Sequence, residues 1–142
     1  MFYPEYSLVG SSTVSATDNT TKLSSWVSMA GHKWVDFIIN TTDADADTTV
    51  DAKLQSADDS SGTNAADISG LAITQFTAAA TAKQAILRVR ADQLNGDDDY
   101  VGCTVTAGNG TSGSVTSIIA IGFSAHYEPA ADAATLVQRK VI

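Results

Sequence analysis

The sequence predicts an all-β chain: an antiparallel β-sandwich with jelly-roll-like wiring, an extended N-terminal arm and a short C-terminal tail. Three observations predict it. Apolar residues recur at every second position through most of the chain, the period at which a strand turns one face to a core. Clusters of Gly, Asn, Asp, Ser and Pro interrupt these stretches roughly every eight to twelve residues, as in sandwiches and barrels. Several connections are too long for tight hairpins, which favours Greek-key or jelly-roll wiring over a meander.

Tyr6 to Ser25 is rich in Ser and Thr, with Leu8, Val9, Val14 and Leu23 scattered through it. It reads either as an edge strand plus loop or as an arm that orders on a partner surface. The chain therefore divides into residues 1–25 as arm or edge strand, 26–130 as the sandwich domain and 131–142 as a tail. From Lys33 to Asn40, Lys33, Val35, Phe37 and Ile39 share one face, and Trp34, Asp36, Ile38 and Asn40 the other. Val50, Ala52 and Leu54 alternate with Asp51, Lys53 and Gln55 in a half-buried strand. Asp58 to Ala66 is a loop, Leu71 to Thr77 a short strand, and Ala78 to Ala82 a turn of small residues. Ala85, Leu87, Val89 and Ala91 alternate with Ile86, Arg88 and Arg90 in another strand. Asn95-Gly96 is a strong turn, because both residues tolerate positive φ.

The longest alternation runs from Val115 to Tyr127. Its apolar side is Val115, Ser117, Ile119, Ile121, Phe123, Ala125 and Tyr127; Ile118, Ala120, Gly122 and His126 are on the other. This strand and Tyr100 to Ala107 are expected to pair around the glycine-rich tip at Gly108 to Gly113. Trp26, Trp34, Phe37, Phe76, Tyr100 and Phe123 are expected in the core. Tyr3, Tyr6, Leu8, Val9, Tyr127, Leu136, Val137, Val141 and Ile142 are expected at an interface. Apolar residues in terminal arms have no evident core to enter and gain burial against another chain.

At 142 residues the chain fits one domain. Its net charge of -8 disfavours nucleic acid, whose phosphates need clustered cations. No apolar run approaches the ~18 residues of a spanning helix, so no membrane partner is expected. Met1-Phe2-Tyr3-Pro4-Glu5-Tyr6 lacks a basic leader region and an apolar one, so the chain is expected to be made in a cytosol. The single cysteine, Cys103, alternates with Val101, Val105 and Ala107 and reads as a small buried hydrophobe.

Motifs for chemistry are sparse. Asp43, Asp45 and Asp47 have the spacing that opens a calcium loop. The glycine and glutamate that complete such a loop are replaced by Thr48 and Leu54, which excludes that site. A different oxygen cage, joined by Asp58, Asp59 or the Asp97-Asp98-Asp99 run, stays open beside the plainer reading of solvated acidic turns. His32 and His126 have no spaced partners for zinc or for a catalytic pair. No serine sits in a nucleophile elbow. The sequence therefore points to no enzyme and no cofactor.

The chain resembles the small jelly-roll head proteins of tailed bacteriophages, the capsid decoration (cement) or head-auxiliary class. The resemblance is carried by residues 54–63, by Asp67-Ile68 with Ala72-Ile73-Thr74-Gln75-Phe76, by Leu87-Arg88-Val89-Arg90-Ala91-Asp92-Gln93-Leu94, and by Ala125-His126-Tyr127-Glu128-Pro129-Ala130. It implies a virion protein, made in the host cytoplasm, that binds the outside of the assembled shell. It implies a homo-trimer that clamps neighbouring major capsid protein subunits, with terminal arms crossing subunit boundaries. A shell-specific ligand of this kind stabilises the shell by mass action. A receptor- or carbohydrate-binding β-sandwich of a tail or head fibre is the alternative.

Overall fold

The computed structural model describes residues 6–16, 20–41, 48–77, 82–108 and 114–125. Alternating patterns become strands β1 (Tyr6–Ala16), β2 (Thr20–Leu23), β3 (Val27–Ser28), β4 (His32–Thr41), β5 (Thr49–Ala57), β6 (Ala66–Ala72), β7 (Phe76–Thr77), β8 (Gln84–Arg90), β9 (Tyr100–Gly108) and β10 (Ser114–Ala125). A 3-10 turn at Ala91–Gln93 follows β8. One sheet has the order β1-β10-β4-β8; the other has β2-β9-β5-β6, with β3 pairing β9 and β7 pairing β5. Every pairing is antiparallel.

The wiring is that of a jelly roll. β1 pairs β10, β2 pairs β9, β4 pairs β8 and β5 pairs β6, so the pairs nest inside one another. A long hairpin folded over on itself gives this nesting and the two four-strand orders. The segment from Tyr6 to Ala16 is thus an edge strand of the sandwich, fixed in register from Tyr6↔Phe123 to Ala16↔Ser114.

The core lies between the sheets. Val35, Phe37 and Ile39 of β4, Val89 of β8 and Ile118 of β10 face Val50 and Leu54 of β5 and Val101, Cys103 and Val105 of β9, each at most 1% exposed. Burial pushes the Cys103 thiol up to about 12, so it behaves as a hydrophobe.

Several expectations need correction. Tyr100 to Ala107 and the 115–127 strand do not pair: β9 joins β5, β2 and β3, whereas β10 joins β1 and β4 in the other sheet. Both strands carry a complete apolar stripe, and each meets the other sheet's stripe across the core rather than sharing its sheet. The core side of β10 is also the opposite one. Ile118 and Ala120 are buried, while Ile119, Ile121 and Phe123 stay half-buried on the outside. Volume decides this. Ala120 is opposite Phe37 and Gly122 opposite Val35, so small residues make room for large ones. Of the aromatic residues expected inside, Phe37 alone is fully buried; Trp34 is 36% exposed. Trp26, Phe76, Tyr100 and Phe123 are half-buried. Finally, the strand expected at Leu71 to Thr77 is split. β6 starts earlier and carries Gly70 at φ +78, and its register with β5 shifts between Lys53 and Gln55.

Candidate functional site

On the six-stranded sheet the outer face is largely polar and mutually satisfied, with Leu23, 41% exposed, and Trp26 at one corner. Lys53 donates to Asp67 at 2.6 Å, Gln55 to Asp67 at 2.8 Å, and Gln75 to Asp51 at 2.6 Å. The hydroxyls of Thr21 and Thr106 meet at 2.8 Å. Trp26 lies flat over Gly102, where a Cβ would come within 2.9 Å of its ring.

The outer face of the four-stranded sheet mixes large apolar side chains with paired polar ones, and register arranges it in rows. Phe123 is opposite Trp34, and Trp34 opposite Arg90. Next, Ile121 is opposite Asp36, and Asp36 opposite Arg88. Then Ile119, Ile38 and Ile86 stand side by side across β10, β4 and β8. The last row is amide and hydroxyl: Asn40 Nδ2 donates to Ser117 Oγ at 3.3 Å, and Gln84 Nε2 donates to Asn40 Oδ1 at 2.8 Å. In this face Trp34 is 36% and Ile86 61% exposed.

Its charges cancel locally. Arg88 forks onto Asp36, with Nε to Oδ1 at 2.6 Å and Nη2 to Oδ2 at 2.7 Å. This bidentate geometry is the strong form of the pair. The hydrogen bonds that Arg88 donates to Asp36 raise its pKa, and the guanidinium also sits 5.7 Å from the centre of the Phe123 ring. Arg90 is held by Asp92 at 2.7 Å. On a chain of net charge -8, the charges of this face are paired, and Trp34, Phe123 and four isoleucines stand among them. Beside Trp34 lies an open depression of about 290 Å³, lined by Lys33, Trp34, Arg90, Ala91 and Asp92. The two arginines of this face are engaged with carboxylates.

The expected interface residues fare as follows. Tyr3, Tyr127, Leu136, Val137, Val141 and Ile142 lie outside the described residues, as do Asp43, Asp45 and Asp47. Register sets Tyr6 across from Phe123, and Leu8 is half-buried across from Ile121. Val9 is the extra residue of a bulge between Leu8 and Gly10 and packs against the core, so this arm residue does have an interior to enter. Sequence reasoning missed Trp34, Ile38, Ile86, Ile119, Ile121 and Phe123 as surface groups. The signal was there: 33–40 and 115–127 carry bulky apolar residues on both faces, and a two-layer sandwich covers one.

Neither a protein-family model nor a curated protein matches the sequence. Among solved structures the chain is similar to the C-terminal family 22 carbohydrate-binding module of Clostridium thermocellum Xyn10B, at 12% identity and TM-score 0.42, over 84% of this chain and 86% of that one. It is also similar to the CBM22-1–GH10 modules of Clostridium thermocellum endo-1,4-β-D-xylanase 10B complexed with xylohexaose, at 10% identity and TM-score 0.45, over 89% of this chain and 28% of that one. A third is the empty top-component particle of cowpea mosaic virus, at 10% identity and TM-score 0.40, over 94% and 97%. At such scores none of these bears on what the chain binds; the jelly roll stands on its own strand order. Among the described residues no helix is long and apolar enough to cross a membrane, and no group of three or more metal-ligating side chains is gathered.

Proposed function

We propose that this chain is a virion structural protein that attaches to the outer surface of an assembled tailed-phage capsid, and that it works by adhesion rather than turnover. The observation that carries this reading is the charge-balanced face on which Trp34 and Ile86 stand exposed beside half-buried Ile38, Ile119, Ile121 and Phe123, on an otherwise acidic chain. Large apolar side chains left exposed on such a face suit a protein contact. The resemblance of residues 54–63, 67–68, 72–76, 87–94 and 125–130 to capsid decoration proteins supplies the partner, the major capsid protein. Contacts repeated over the shell would add avidity to a weak single site.

The test is co-sedimentation with undecorated, expanded heads. The protein is expected to pellet with the heads, and Trp34→Ala to weaken binding at least about tenfold while melting within a few degrees of wild type. Protein left wholly in the supernatant counts decisively against the capsid reading. Binding unchanged in Trp34→Ala would move the contact off this face.

A second reading is favoured by the depression beside Trp34, where an aromatic plate adjoins Lys33, Arg90 and Asp92. Stacking on such a plate with polar groups at its rim suits a sugar ring. Signal on a glycan array that is lost in Trp34→Ala, without head binding, would select it.

A further inference from the structure

We propose that β8 is the seam of a two-fold dimer, in place of the homo-trimer that the resemblance to decoration proteins implies: two copies pair their β8 strands antiparallel, Ile86 against the partner's Ile86, and merge their four-stranded sheets into one.

The exposed sheet edges are not equivalent. Natural edges are protected by shortness, bulges and inserted charge. β2 spans four residues. β6 is interrupted by a register shift and by Gly70 at φ +78. β1 carries the bulge after Leu8. β8 has no bulge, and its charges are two arginines already paired. Its register with β4 is unbroken from Trp34↔Arg90 to Asn40↔Gln84. It contains no lysine or proline, and its arginines are tied to Asp36 and Asp92. Among the described residues, no strand pairs with its other side.

The backbone is in phase for such a seam. Thr41 N donates to Lys83 O at 2.9 Å, so Lys83, and with it Ala85, Leu87 and Val89, turns its peptide groups toward β4. Gln84, Ile86 and Arg88 then turn theirs outward. Arg90 keeps the same phase, since its N–H goes to Gln93 Oε1 at 2.9 Å instead of to β4. Pairing about Ile86 matches outward groups with outward groups and forms about six hydrogen bonds. Gln84 then stands opposite the partner's Arg88, and no like charges are directly opposed. The row Ile119–Ile38–Ile86 continues through the partner's Ile86. This explains why the most exposed of the large hydrophobic residues described, at 61%, sits at the centre of an edge strand.

Such a seam is smaller than the ~1,200 Å² of a stable interface, so the free dimer is weak and concentration-dependent. Sedimentation velocity up to about 1 mM is the assay. Wild type is expected to pass from monomer to dimer. Ile86→Pro removes an outward N–H that β4 does not use, a substitution edge strands tolerate. Ile86→Lys puts like charges against each other at the seam. Both should stay monomeric, with dissociation constants raised at least about tenfold. Ile86→Cys should cross-link to a dimer on mild oxidation, because directly bonded residues of antiparallel strands lie about 5.5 Å apart. Ser69→Cys, exposed on β6, should not. A wild type monomeric at every concentration, an oligomer unchanged by both Ile86 variants, or cross-linking no faster for Ile86→Cys than for Ser69→Cys would each overturn the proposal. Heads take no part in these measurements, so the capsid reading is tested separately.

Discussion

Gly122 and His32 offer a stringent test of the packing logic. A Cβ added at Gly122 would lie 2.3 Å from His32 Cδ2, 2.6 Å from Nε2 and 2.8 Å from Cγ. Normal carbon contacts are about 3.5–4.0 Å, so the ring or the strand must move by more than ~1 Å. Neither moves easily. The ring is buried at 9% exposure, and Gly122 belongs to β10, held between β1 and β4. Overpacking of this kind costs about 1–3 kcal/mol, and a clash with three ring atoms belongs at the upper end, ~3 kcal/mol. For a chain of this length that lowers Tm by about 10 °C. Gly31→Ala is the control, since nothing lies within 4 Å of its Cβ; it should change stability by less than ~0.5 kcal/mol. In a His32→Ala background the added methyl has room, and Gly122→Ala should cost less than ~1 kcal/mol more, a coupling of at least ~2 kcal/mol. Urea melts of the four chains give the cycle. A Gly122→Ala protein that melts within ~2 °C of wild type, or an equal loss in both backgrounds, would mean that His32 does not crowd this position.

The Cys103 thiol, with a pKa raised to about 12 by burial, should not react with a thiol reagent at pH 8 in the native protein, and should react fully in denaturant. The Asp67 pKa is lowered chiefly by the hydrogen bond from Lys53, and the Asp59 pKa by the Thr63 hydroxyl. Lowered carboxylate pKa values contribute stability above the unfolded range, and that stability is lost as pH falls through the folded values; thermal melts should therefore decline below about pH 4. Asp67→Asn and Asp59→Asn should each melt slightly lower at pH 7 and lose less between pH 7 and pH 3; an unchanged acid slope would count against these contacts.

Much of the fold is legible because period-two patterning survives in nearly every strand. Val35-Phe37-Ile39, Val50-Ala52-Leu54, Leu87-Val89 and Val101-Cys103-Val105 all reach the core that their alternation announces. Where both faces of a strand are apolar, alternation is silent about which one is covered. In β10 the choice fell to the fit of Ala120 against Phe37, a non-local fact. Pairing is equally hidden, because β9 and β10 are neighbours in sequence yet take partners from distant strands. The candidate site was missed for the same reason. Trp34 and Phe123 read as core by residue type, and only the sheet order turns their common face outward.

The nested strand order also bears on how the chain is born. β10 is the last strand of the described chain, yet it separates β1 from β4. While the ribosome is still adding residues, at about 5–20 per second, β1 has no sheet neighbour and β4 has one side bare. Closing the sheet requires contacts between the first and last strands described, the long-range kind that fold on the millisecond-to-second scale. A nascent chain halted before Ser114 would therefore expose hydrogen-bonding edges that chaperones bind, and the sandwich becomes whole only once translation has passed Ala125.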